Sequence, residues 1–410
     1  MRVTSHPPQP SDSAPPNDPW TLAPGRGATP GALSVPHLAP ASAGAKQRAG
    51  LGVILALLGC TVVLLGVTWF LSDAFGSGTL LWLGILAMVP LALCLIGLRW
   101  VDRWDPEPRV LLVLGLLWGA GTSVAGALLI GDVFTELFFD PAGALKMDTF
   151  GAVVQAPIVE ELVKGAGVLL IFWINRAHFD GPIDGIVYGG MVGAGFAFTE
   201  NILYFGSSYL SPSAPGELAT VFVLRGLFSP FAHVMFTAWT GFALGLCAGR
   251  GQRGRWPLYL LLGLIPAMAG HFLWNGGIGI FFTDFLSFYF LLQVPLFIAF
   301  IVAVVLLQRA ERRLTEQRLA DYQNSGWFTA AEVKMFATAP GRRHARHWAA
   351  GIGRKRQMKA FTSTAMHLAA VRQRIVAGHG TGTDLARETA LLHHSHQQRA
   401  QLLGGVSPRG

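Results

Sequence analysis

Glu160, Glu161 and Lys164 sit in Pro157-Ile158-Val159-Glu160-Glu161-Leu162-Val163-Lys164, inside an apolar run from Thr149 to Ile174. Such a run can cross a bilayer, since about 20 helical residues at 1.5 Å each cover the ~30 Å hydrocarbon core. An ionisable group there costs about 2.5–3.5 kcal/mol on insertion scales, so three of them point to chemistry rather than packing. Successive helical residues point about 100° apart, so Glu160 and Glu161 cannot face one spot. Lys164 is i+4 from the first and i+3 from the second and can pair with either. One carboxylate can stay charged against the lysine while the other faces a cavity as a general base. The bland alternative is a charge-paired structural knot.

Only two of the twelve histidines, His233 and His271, fall inside apolar spans, which also hold Glu200 and Arg225. All these groups lie between residues 149 and 280, and such clustering points to one shared polar cavity. His271 and Asn275 are i and i+4 on one helical face; they suit hydrogen-bond donation to an oxyanion or a polar contact between helices. His233 follows Ser229-Pro230, where proline would kink a helix and free backbone carbonyls. The glycine run 189–195 allows close helix approach, and Glu200 with Asn201 follows it at a depth that suits pairing with Arg225. If zinc were bound, Glu160, His233 and His271 would be the ligands. They come from separate helices without H-E-x-x-H spacing, so no cofactor is favoured and zinc is the alternative.

The elements that must position these groups are membrane helices. The chain has 410 residues, 52% hydrophobic and 13% charged, against about 25% charged in soluble proteins. The expected fold is all-α and polytopic, with about eight transmembrane helices near 51–71, 78–98, 110–131, 149–174, 185–204, 218–247, 257–279 and 286–307. Arginines or lysines flank these spans at 46–48, 99–109, 176, 250–255 and 309–313, while the alternate connections hold only Lys146 among Lys and Arg. The positive-inside rule then places both termini in the cytoplasm.

Residues 1–48 are expected to be a disordered head, with ten of the 24 prolines before residue 45. The transmembrane domain is 49–308, its catalytic helices about 149–280. Residues 309–410 form a basic, partly helical tail, with 17 Lys/Arg against 6 Asp/Glu from Gln308 onward. The tail suits solvent or lipid headgroups, and no motif supports nucleic-acid binding. Cys60, Cys94 and Cys247 lie in apolar spans without a C-x-x-C and read as packing residues. The loop Asp102-Arg103-Trp104-Asp105-Pro106-Glu107-Pro108-Arg109 reads as a stiff connection.

Glu160-Glu161-Leu162-Val163-Lys164, Phe198-Thr199-Glu200-Asn201, His233, and His271 with Asn275 together resemble the PrsW family of intramembrane proteases. That family lies within the wider group of CAAX prenyl endopeptidases and bacteriocin-processing proteins. The 102–108 loop also resembles a segment before the family's third span, and the likeness covers roughly residues 95–280. Gly165 stands near the position where CAAX-type proteins carry an arginine, which argues against prenylated substrates. The resemblance implies that Glu160 activates water with help from His233, that His271 and Asn275 steady the oxyanion, and that Glu161 pairs with Lys164. Glu200, Asn201 and Arg225 would support them. It further implies a multi-pass protein of the cell membrane cutting a membrane-protein substrate, with a single-pass anti-sigma factor as the family's best-known example. A different class, an ion-coupled transporter using the buried glutamates as a proton relay, is the alternative, although no repeated half with matching broken helices supports it.

Overall fold

The computed structural model describes residues 43–175 and 179–404, so the Pro-rich head and Arg176 lie outside the described residues. The described chain is helical without a β-strand. In order it forms α1 (Ala43–Phe75), α2 (Ser77–Val101), α3 (Arg109–Phe138), α4 (147–174), α5 (Pro182–Leu210), α6 (217–228), α7 (Ala232–Gly249), α8 (Trp256–Ile280) and α9 (Phe285–Asn324). Among the described residues, seven helical stretches are long and apolar enough to cross a membrane, α6 and α7 counting as one. The stretch outside that set is α4, the fourth expected span. Glu160, Glu161 and Lys164 lower its apolarity, yet it packs within the same bundle.

Helix α5 is the axis of the bundle. Its apolar residues do not form a stripe; nearly its whole surface is buried, as a helix surrounded by other helices requires. Glycines allow that crowding. A Cβ on Gly185 would lie 1.9 Å from the Gly241 carbonyl oxygen, and one on Gly193 would lie 2.3 Å from that of His233. With Gly189 between them, also against α7 at the Thr237 carbonyl, these glycines four residues apart on α5 bring it backbone to backbone against α7. On the other side a π-helical turn of α3, Trp118–Ser123, meets α5, and Thr199 Oγ1 donates to the Ala120 carbonyl at 2.8 Å. By contrast α1 and α2 expose Leu, Ile, Val and Trp side chains along their length, as lipid-facing helices do.

The expected kink at Ser229-Pro230 is a full break between α6 and α7. The freed carbonyls are satisfied locally: Ser229 donates its backbone N–H to Leu224 at 3.1 Å, and the Cys94 thiol donates to Pro230 at 3.0 Å. All three cysteines are buried and unpaired.

The basic tail is helical and has a core of its own. It forms α10 (Ala330–Ala337), α11 (Ala339–Gly351), α12 (Lys355–Val376) and α13 (Gly382–Leu403), which share a core of Leu319, Tyr322, Phe328, Phe336, Phe361 and Leu368. It also docks on the bundle. Arg342 donates to the Trp104 carbonyl and lies with its guanidinium 3.5 Å from the Trp104 ring centroid. The 102–108 loop is itself tied down: Glu107 N–H donates to Asp102 Oδ1 at 2.9 Å, Tyr188 donates to the Glu107 carboxylate, and Asn175 Nδ2 donates to Tyr188 at 2.9 Å. One chain of bonds thus joins α2, α4 and α5 beneath the tail.

Candidate active site

Four helices bring the sequence-identified groups to one level. Counting from the tail-side ends of α4, α5, α7 and α8, the residues Glu160, Glu200, His233 and His271 all lie roughly 21–27 Å away at 1.5 Å per residue. The antiparallel arrangement, with α5 at the centre, converts distant sequence positions into neighbours.

Lys164 is the hub. Its Nζ lies 3.0 Å from Glu160 Oε2, 2.9 Å from Glu161 Oε1 and 3.1 Å from His233 Nδ1, with the Phe196 ring centroid at 3.7 Å. The lysine has no exposed surface, and a buried cation needs such partners. The two glutamates differ. Glu161 is fully buried and fully engaged: Oε1 meets Lys164 and His271 Nδ1 (3.2 Å), and Oε2 accepts from Thr237 Oγ1 (3.1 Å). Glu160 uses Oε2 for Lys164, has no hydrogen bond at Oε1 among the described residues, and keeps 12% of its side chain exposed. It lines a cavity of about 280 Å³ with Phe196, Glu200 and Tyr204, between α3, α4 and α5.

The histidines sit 5.1 Å apart, ring to ring, nearly perpendicular. His233 Nε2 lies 2.8 Å from Glu200 Oε2, which also takes the Arg225 guanidinium. With Lys164 donating to Nδ1, the consistent form of His233 is neutral with its proton on Nε2. Both its nitrogens are then occupied. His271 directs Nδ1 at Glu161, so its proton belongs there and Nε2 carries a lone pair. That nitrogen is 3.9 Å from Glu160 Oε2, too long for a hydrogen bond and wide enough for a water to join the two.

The pairing of Glu200 with Arg225 is present, and Arg225 Nε also donates to Asn201 Oδ1 at 3.3 Å. Asn275 stands apart. Its Nδ2 donates to the Ala152 carbonyl at 2.8 Å, bracing the π-helical turn that opens α4. Phe196, Tyr204 and Thr237 escaped sequence reasoning. A signal existed, because Phe196, Glu200 and Tyr204 form an i, i+4, i+8 stripe and Thr237 is i+4 from His233.

Glu160, His233 and His271 each offer a ligand atom within 4.8 Å of the others'. Two imidazoles and a carboxylate suit zinc, and each ring has its other nitrogen on a carboxylate, as metal-bound histidines do. The residues therefore fit the ion by type and support. The Lys164 ammonium touches two of the three ligands, so a bound ion would require it to withdraw.

The sequence profile described as PrsW family intramembrane metalloprotease matches residues 107–300. The chain is 32% identical over 188 residues to Protease PrsW of Clostridioides difficile (strain 630), covering 45% of this chain and 74% of that protein. To Protease PrsW of Geobacillus kaustophilus (strain HTA426) it is 27% identical over 158 residues, 38% of this chain and 63% of the relative. To Protease PrsW of Shouchella clausii (strain KSM-K16) it is 25% identical over 229 residues, 56% and 97%. No solved structure gives a significant match.

Proposed function

This chain belongs to the PrsW family of intramembrane proteases, and from that premise we propose that Glu160 activates the water that attacks the scissile peptide carbonyl. The observation that carries the reading is Glu160 itself, which lines the cavity, keeps Oε1 without a hydrogen bond among the described residues, and has His271 Nε2 3.9 Å from its Oε2. The water, held between Glu160 and His271, gives its proton to Glu160 as its oxygen bonds to the carbonyl carbon. When the C–N bond breaks, Glu160 returns that proton to the leaving amine. Asn275 has a second amide hydrogen for the oxyanion, and His271 holds the attacking water beside it. Glu161 orients His271, while His233 acts through Lys164 and Glu200 as a positioning residue rather than directly on water.

The donor set favours a second reading in which Glu160, His233 and His271 hold zinc. A zinc ion there would polarise the carbonyl and make bound water nucleophilic near neutral pH. The position of Lys164 favours the metal-free reading, because its ammonium already supplies a cation to the same groups. The proposed substrate is a single-pass membrane protein such as an anti-sigma factor. The protease would sit in the cell membrane with both termini cytoplasmic and the cavity towards the opposite face.

Reconstitution in nanodiscs with a single-pass substrate tests this. Cleavage should be lost in Glu160→Gln and His271→Ala and survive chelation. Retained cleavage in Glu160→Gln overturns the assignment of the base, loss on chelation restored by zinc selects the second reading, and proton flux without cleavage favours a transporter.

A further inference from the structure

Far from Glu160, a second feature of the bundle has the chemistry of a binding site. Helices α2, α7 and α9 leave an apolar groove of about 300 Å³ whose walls include Cys94, Leu98, Phe231, Phe297, Ile301 and Val304. The Cys94 thiol already donates to the Pro230 carbonyl. The groove follows α2 from Cys94 to Val101, about 10 Å of helix, and Ile301 on its wall is 53% exposed. An apolar slot open to the membrane fits a hydrocarbon chain.

Its tail-side end changes character abruptly. Gln308 Nε2 donates to the Val101 carbonyl at 3.0 Å, fixing α9 against α2 one turn beyond Val304. That register sets Arg309 and Arg312 of α9 beside Arg103, which follows α2, close enough for both to act on the charge of Arg312. Arg103 and Arg309 are exposed. None of the three forms an ion pair among the described residues, and Arg312 Nε lacks any hydrogen-bond partner. Tryptophans hold two of them in place: Arg103 lies 5.4 Å from the Trp100 ring centroid, and Arg312 lies 4.5 Å from that of Trp104. Arg103 and Arg309 both repel Arg312, and Glu311 acts on Arg312 only from beyond ion-pair distance, so the three guanidinium groups form a site for an anion at headgroup depth.

We propose that this groove and its arginine cap bind an anionic glycerophospholipid, with an acyl chain against Phe231, Phe297 and Ile301 and the phosphate at Arg103, Arg309 and Arg312. Apolar slot and cationic rim lie end to end in the order of a lipid's own parts. Because Arg312 also stacks on Trp104, whose carbonyl takes Arg342, the lipid would sit against the joint between bundle and tail.

Native mass spectrometry of the full chain, released from nanodiscs of equal phosphatidylglycerol and phosphatidylcholine with identical acyl chains, tests this. The wild type should retain one phosphatidylglycerol with a preference on the order of tenfold or more. Replacing Arg103, Arg309 and Arg312 by Gln together should remove the preference. Ile301→Trp, which fills the groove and leaves the arginines, should remove the retained lipid. Equal retention of both lipids by the wild type overturns the proposal. So does a preference that survives Ile301→Trp, since the arginines would then attract anionic lipid without a seat in the groove.

Discussion

Lys164 Nζ lies 3.1 Å from His233 Nδ1, as close as it lies to the carboxylates of Glu160 and Glu161. A lysine that contacts Glu160, Glu161 and His233 occupies the place where a cation would sit. Zinc and this ammonium are therefore rivals for one position. Lys164→Ala removes the rival and leaves Glu160, His233 and His271 facing a vacated space. The variant should bind zinc tighter than the wild type by at least tenfold, read by competition with a chromogenic chelator. Its metal-free cleavage should be severely reduced. Equal zinc affinity in the two proteins would show that Lys164 does not compete.

Glu160 and Glu161 are adjacent in sequence, and their substitution should fail in different ways. Glu161→Gln weakens the partner of a fully buried lysine and of His271. Breaking a buried ion pair costs about 3–5 kcal/mol, so this variant should lose stability together with activity. Glu160→Gln leaves Glu161 to hold Lys164 and should lose cleavage by about 10²–10⁴-fold, the range of a general base, with little change in unfolding temperature. Thermal unfolding in nanodiscs beside a cleavage assay separates the two, and matching stability losses would count against the assigned roles.

Gly193 should be as sensitive as any charged residue. Its α position carries no catalytic atom, yet a Cβ there would meet the His233 carbonyl oxygen at 2.3 Å. Gly193→Val must push α7 from α5, stretching the 2.8 Å contact between His233 and Glu200. Overpacking of this kind costs about 1–3 kcal/mol. Cleavage should fall more than stability alone explains, and Gly193→Ala should lie between wild type and valine. A fully active valine variant would mean that helix contact does not set the histidine's place.

How far the sequence reveals this arrangement depends on what lipid forbids. Glu160, Glu200 and His271 stand out because buried ionisable groups are costly in hydrocarbon, and that cost is visible without knowing any contact. Arg225 with Glu200 follows from depth along antiparallel helices. Asn275 shows where such reasoning stops: its spacing from His271 marks a shared face, but the Ala152 carbonyl that takes its amide belongs to a π-helical turn with no compositional mark. The tail core is hidden for another reason. Phe328, Phe336 and Phe361 come from separate short segments, and their convergence depends on tertiary packing rather than on any one helix's periodicity. Thr237 and Tyr204 carry no charge, so their spacing from His233 and Glu200 is their one mark in the sequence; what they do depends on Glu161 and Arg225, which come from other helices.

The joint beneath the tail should respond to pH through Asp102. Burial pushes its carboxyl up to about 6, with Asp105 adding repulsion and the Glu107 N–H opposing. Burial likewise raises Glu107, which the Tyr188 hydroxyl partly offsets and Asp105 reinforces. An unfolded aspartate titrates near 3.9, so between about 4 and 6 the folded chain holds more protons than the unfolded one. This contribution therefore favours folding at low pH and is lost as pH rises through 6. Asp102→Asn keeps an oxygen for the Glu107 N–H and removes the buried charge. The variant should unfold at a higher temperature than the wild type at pH 7, and the gap should close as pH falls towards 4. A gap that is constant with pH would show that Asp102 is not titrating in the folded joint. A variant less stable than wild type at pH 7 would mean that the Asp102 charge itself holds Lys359 or Arg99 in place.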